Sequence, residues 1–226
     1  MAFPGLVQRV ADVRARIAAA VARGGHGQQV TIVAVTKTHG PDAASAAYEA
    51  GLHDVGENKV QEALKKMSQV ELPVRWHLIG HLQRNKVKSL DQFVLLHSLD
   101  SARLADAVCE FGIARGRAVD ALIELNLSGE LSKGGFSRSE LLPEAERLVS
   151  LAGIRIRGVM TMASFTATES ELRRTFAEAR DARQALVEAG HPAVELSMGM
   201  SADYEIAVEE GATIVRLGTT LFGARA

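Results

Sequence analysis

The chain has 226 residues, and its 26 lysines and arginines against 27 aspartates and glutamates leave a formal net charge of −1. That balance excludes a strongly basic nucleic-acid binder, and 47% hydrophobic with 23% charged residues excludes bulk disorder. A single cysteine, Cys109, rules out an intramolecular disulfide and any multi-cysteine metal site. No apolar run reaches the roughly 18 residues a membrane span needs.

The N-terminal stretch is interrupted by Arg9, Arg14 and Arg16, so it does not read as a secretory signal. Asp12 counts against an organellar transit peptide, and Leu6, Val10, Val13 and Ile17 at helical spacing predict a leading helix over 6–23. With no export signal and no disulfide pair, a reducing cytoplasm is the expected location. Val30 to Lys37 is a near-continuous β-branched run, the pattern of a strand covered on both faces. Pro41 then opens a helix that stops near Gly51.

The alternation repeats. Strands are predicted at 53–57, 74–80, 93–98, 119–127, 154–162, 194–198 and 213–218. Helices are predicted at 58–70, 83–90, 101–114, from Ser137 onward, at 169–189 and at 203–209. Ser137 with Glu140 three residues on is a capping-box pattern. Strand-then-helix units of this kind predict an α/β protein, a (β/α)8 barrel with an extra N-terminal helix, as one domain over 1–226. An open doubly wound sheet is the alternative, but no G-x-G-x-x-G follows the first strand.

Barrel active sites lie at the C-terminal ends of strands. Lys37 closes the first strand, on the face shared by Val33 and Val35. Desolvation there would lower its pKa and leave an amine able to condense with an aldehyde; alternatively, a strand-end lysine simply reaches water. The eighth strand puts Ile214, Arg216 and Gly218 on one face, followed by Thr219 and Thr220. The loop after the seventh, Ser197-Met198-Gly199-Met200-Ser201, leads to a helix near Asp203, with Ser201 as expected N-cap and Gly199 admitting close backbone approach. The two loops form a phosphate corner or, on the plainer reading, two glycine turns with a serine cap. Arg216 in a barrel interior needs a carboxylate, a phosphate or a ring-nitrogen acceptor. Beside a pyridine nitrogen it would keep that nitrogen unprotonated and the ring a weak electron sink.

The runs Ala34-Val35-Thr36-Lys37-Thr38, Val55-Gly56-Glu57-Asn58-Lys59-Val60-Gln61-Glu62, Trp76 to Lys86, Leu196 to Asp203 and Arg216 to Gly223 together resemble the pyridoxal phosphate homeostasis protein family, single-domain barrel relatives of alanine racemase. The resemblance spans nearly the whole chain. It implies pyridoxal 5′-phosphate (PLP) held as an aldimine on Lys37, its phosphate on Ser201, Gly218 and Thr219, and Arg216 near the pyridine nitrogen. It further implies that Asn58, Met198 and Met200 line the pocket, and that Lys133 is a second PLP lysine. Thr36, His39 and His81 depart from the family's commoner residues.

The chain ends at Ala226, shortly after the Phe222-Gly223 motif, so no β-domain of the racemase kind is expected. A non-catalytic PLP carrier and buffer is the leading expectation, a monomer without membrane or nucleic-acid partners, delivering PLP to apo-enzymes. No catalytic residue and no metal ligand is assigned. The alternative is a weak PLP-dependent racemase, lyase or decarboxylase. His77 and His81 are read as packing or pocket-lining residues rather than metal ligands, and His53, His97 and His191 as scattered. Cys109 reads as a buried helix residue, Tyr48 and Tyr204 as packing or helix-surface residues, and Glu57 as a helix N-terminal carboxylate.

Overall fold

A strand that is apolar on both faces has to be covered on both, and a helix after each strand supplies the outer cover. The computed structural model describes residues 3–127 and 134–223. Eight parallel strands follow in chain order: β1 (Thr31–Val35), β2 (Asp54–Glu57), β3 (Arg75–Leu78), β4 (Leu95–Leu99), β5 (Val119–Leu125), β6 (Ile154–Thr161), β7 (Glu195–Ser197) and β8 (Ile214–Leu217). Pairing of β8 with β1, Val33 opposite Arg216, closes the barrel. The helices are α1 (Leu6–Gly24), α2 (Pro41–Glu49), α3 (Val60–Met67), α4 (Ala102–Ala114), α5 (Arg138–Val149), α6 (Glu169–Glu188), α7 (Tyr204–Glu209) and α8 (Thr219–Phe222). The architecture is the expected (β/α)8 barrel with a leading helix.

Two details differ from expectation. The predicted helix at 83–90 is a 3₁₀ helix over Arg84–Gln92. Its buried residues, Val87 and Leu90, are three apart, which suits a three-residue turn. The eighth strand is followed by the short α8, and α1 packs against both α7 and α8, burying Leu6, Val10, Val13, Ile17 and Ala20. A helix from the start of the chain thus covers the end of the ring.

Strand alternation sorts the core into two layers. Outward residues such as Ala34, Val55, Leu96, Val215 and Leu217 meet the helices. Each large side chain fully buried there, Phe176, Leu104 and Leu148 among them, contributes about 1.5–3 kcal/mol. Inward, Val33, Leu95, Leu122, Met160 and Ile214 form a small apolar cluster. Buried in the same structure are the polar side chains of Asp54, His77, His97, Ser197 and Arg216, joined to one another in a single chain. The lumen is therefore half oil and half hydrogen bonds. Ser137 and Glu140 form the expected capping box on α5, and Cys109 is buried in α4. Among the described residues no helix is long and apolar enough to cross a membrane.

Candidate functional site

At the C-terminal ends of the strands the barrel opens into a cavity of about 770 Å³. Strand geometry brings Lys37, Asn58, Met200, Ser201, Arg216, Gly218 and Thr219 to its wall. Met198 is not there. It alternates away from its inward neighbour Ser197 and is buried in the layer between strands and helices. Lys133 lies outside the described residues.

Lys37 follows β1 in a turn that is pinned on both sides. Before it, Thr36 Oγ1 donates to Glu57 Oε1 at 2.5 Å, and Thr36 O accepts from Lys66 Nζ at 2.8 Å. After it, Thr38 sits at φ 69°, and its N–H donates to Glu62 Oε1 at 2.7 Å. Lys66 ties the two together, with its ammonium 2.7 Å from Glu57 and 2.9 Å from Glu62. Burial raises the pKa of Glu57 despite Lys66 and Thr36, and Glu57 Oε2 is buried without a partner. Glu57 is thus the last residue of β2 packed beneath the lysine turn, not a helix N-terminal carboxylate.

The expected phosphate corner is a convergence of donors on one oxygen. The N–H groups of Gly218 and Thr220 both point at Ser201 Oγ, at 3.3 and 3.2 Å. Ser201 does not cap α7; Asp203 holds that position, and its Oδ1 accepts the Met200 N–H at 2.6 Å. Gly199 is also required for a different reason from the expected one. It has φ +91°, and a Cβ there would lie 2.6 Å from Ala207 Cβ, so glycine lets the loop lie against α7. Gly80 does the same for Asn58, whose carbonyl oxygen a Cβ at residue 80 would meet at 2.4 Å.

Arg216 forms part of the cavity wall and is 5% exposed. Nη1 donates to Ser197 O at 2.7 Å and Ser197 Oγ at 2.6 Å, and Nη2 donates to Thr161 O at 3.0 Å. Desolvation lowers its pKa to about 10, with the charges of Asp203 and Glu124 working the other way. It remains a cation and a donor at neutral pH. Behind it, His97 Nδ1 lies 2.9 Å from Ser197 Oγ, His97 Nε2 2.9 Å from His77 Nδ1, and His77 Nε2 2.9 Å from Asp54 Oδ1. His97, read from the sequence as scattered, is at the centre of this chain, and burial drives its pKa well below the usual value.

Two further polar residues of the wall, Glu124 and Asp100, went unnoticed in the sequence, while His81 lines the cavity, one of the two roles read for it. Glu124 faces the cavity, and its pKa is raised by burial and then by Asp100. His81 is 2.7 Å from Asp100, where it lines the cavity. Among the described residues no group of three or more His, Cys, Asp or Glu is placed to hold a metal ion.

The profile of the family "Alanine racemase, N-terminal domain" matches residues 10–226. A pyridoxal phosphate homeostasis protein of Aquifex aeolicus is 40% identical over 222 residues, 96% of this chain and 97% of that protein. The chain belongs to the pyridoxal phosphate homeostasis protein family. Its namesake in Pseudomonas aeruginosa is 39% identical over 223 residues, covering 97% of this chain and 96% of the other. The solved structure of PipY from Synechococcus elongatus with PLP bound superposes with a TM-score of 0.85 at 35% identity, over 96% of this chain and all of that one (100%). Alanine racemase from Corynebacterium glutamicum shares the fold at a TM-score of 0.73 and 16% identity, over 93% of this chain and 60% of its own.

Proposed function

We propose that this protein binds PLP covalently on Lys37 and serves as an intracellular carrier and buffer of that cofactor, releasing it to apo-enzymes rather than turning over a substrate. The residues present fit the group. Bound there, PLP supplies an aldehyde that a lysine amine captures reversibly. Ser201 Oγ and the N–H groups of Gly218 and Thr220 offer a phosphate several donors at one corner, with Thr219 beside them. Asn58 and Met200 complete the wall, and the Lys37 turn is held by Glu57, Glu62 and Lys66.

The observation that carries the non-catalytic part is Arg216. A buried guanidinium held on uncharged oxygens can only donate. A pyridine nitrogen facing it is left unprotonated, which weakens the ring as an electron sink and favours holding the cofactor over using it. The absorbance of the protein with added PLP, before and after borohydride, with mass mapping of the reduced adduct, tests the reading. One PLP equivalent on Lys37 is expected. The Lys37→Ala variant should stay folded and lose the reducible adduct, and undiminished trapping in that variant would overturn the assignment. Adduct mapped to Lys133 instead would identify that residue as the second acceptor.

A second reading, a weak racemase, lyase or decarboxylase, has one observation in its favour. Glu124 is a cavity carboxyl with a raised pKa, able to carry a proton nearer neutrality than an ordinary carboxylate. Exchange of an amino acid's α-hydrogen into heavy water by the PLP-loaded protein decides between the two readings. Rapid exchange, lost in Glu124→Gln, would establish turnover.

A further inference from the structure

Two facts about the polar lumen ask for an explanation. Among the described residues Arg216 has no carboxylate bonded to it, its three bonds all ending on uncharged oxygens. Yet a buried carboxylate does stand at the far end of the same chain. Asp54 begins β2 at the N-terminal end of the barrel, where with Arg75 it lines a separate groove of about 500 Å³.

The four links between Asp54 and Arg216 have a direction. Ser197 Oγ already accepts from Arg216 Nη1, so its own hydrogen must point elsewhere, and the acceptor in reach is His97 Nδ1. That requires the His97 proton on Nε2, from which it is donated to His77 Nδ1. His77 must then carry its proton on Nε2, where Asp54 Oδ1 accepts it. With each histidine carrying its proton on Nε2, every side-chain N–H and O–H from Ser197 through His97 and His77 to Asp54 has an acceptor. The opposite direction leaves the serine hydrogen beside the guanidinium with nothing to bond. Asp54 is itself fixed as an acceptor by Arg75, whose Nε lies 2.8 Å from Oδ1 and whose Nη2 lies 2.5 Å from Oδ2.

We propose that Asp54 is a positioning residue for Arg216. By ordering the tautomers of His77 and His97 and the hydroxyl of Ser197, it fixes the guanidinium so that its remaining N–H groups face the ring end of the PLP cavity. The inference rests on the PLP reading given above. A carboxylate placed directly on Arg216 would compete with the ligand for those donors. Placed three side chains away, it orders the arginine without occupying it.

Histidine ¹H–¹⁵N long-range correlations on the PLP-free protein test the chain without the cofactor. Both His77 and His97 are expected as Nε2–H tautomers, and an Nδ1–H form of His97 would overturn the assignment. In PLP-loaded protein, Asp54→Asn and His97→Phe are each expected to speed PLP loss about 2- to 30-fold and to shift the cofactor's absorption band. Both are read well below each variant's melting midpoint, so that a purely structural role would leave rate and band unmoved. A change in His97→Phe alone would overturn the part assigned to Asp54. Wild-type protein that takes up no PLP would sink the reading of the cavity, whereas uptake with both variants unchanged would sink the positioning role alone.

Discussion

Strand β2 carries a buried carboxylate at each end, and the two are treated in opposite ways. Asp54 faces the lumen at the N-terminal end, where burial disfavours its charge but His77 and Arg75 outweigh that and bring its pKa to about 2. Glu57, three residues on and so on the opposite face, lies under the Lys37 turn; there burial wins over Lys66 and Thr36, and its pKa is raised. Asp54 has donors on both oxygens, while Glu57 Oε2 has no partner. At the closed end of the barrel Asp54 is fully bonded. The open end has Glu57 Oε2 without a partner and Arg216 held on uncharged oxygens, and that is the end with the large cavity.

The comparison breaks most severely at Lys66. Lys66→Met would strip Glu57 of its cation and Thr36 O of its donor, and should cost about 3–5 kcal/mol in urea denaturation at pH 7. A carboxyl with a raised folded pKa contributes most below the ordinary carboxylate value, and that contribution is lost as pH rises through the raised one. Without Lys66 the Glu57 pKa rises further, so the variant loses more than wild type as the carboxyl ionises; the gap between them should widen from pH 4 to pH 7, and Glu57→Gln in the Lys66→Met background should recover part of it. A gap that is flat with pH would mean that Glu57 is not the source of the cost.

Asp54→Asn should cost less and run the other way. A drop from 3.8 to about 2 corresponds to about 2 kcal/mol at neutral pH. Since the folded pKa is depressed, that stabilisation is present above the unfolded value and disappears as pH falls toward 2. Wild type and variant should thus converge in acid, and a difference that persists at pH 2 would place the effect in packing rather than charge.

Much of this was legible from period and parity. The barrel followed from the strand–helix alternation, and the Val33/Val35/Lys37 and Ile214/Arg216/Gly218 faces from strand period two. Parity could have given more. Leu122 and Glu124 share the inward face of β5, as do Leu95 and His97 on β4, so a polar residue in an inward slot was the available signal for both. Lys66 had one too, as a lysine on the α3 face that buries Val60 and Ala63. What spacing could not supply was contact between distant strands: that His77 of β3, His97 of β4 and Ser197 of β7 meet across the lumen is a consequence of closure. The capping role given to Ser201 failed as a local inference, because the groups that meet its Oγ, the N–H groups of Gly218 and Thr220, come later in the chain.

The smallest expected effect concerns strain at the open end. Thr38, a β-branched residue, is held at φ 69°, a left-handed conformation costing roughly 1–2 kcal/mol for a residue with a Cβ. Its N–H bond to Glu62 helps hold it there, directly after Lys37. Thr38→Gly removes the strain but adds freedom to the unfolded chain worth about 0.4–1 kcal/mol, so a net gain of up to about 1.6 kcal/mol in stability is expected. The closed end of β2 has no such residue, and relaxing the open end tests whether its strain serves the lysine. If the turn presents Lys37 to the cavity, the more stable glycine variant should trap PLP more slowly in a borohydride time course, whereas Thr38→Ala, which keeps a Cβ at the same φ, should trap at close to the wild-type rate. Equal trapping by all three proteins would show that the strained turn is incidental to the amine it carries.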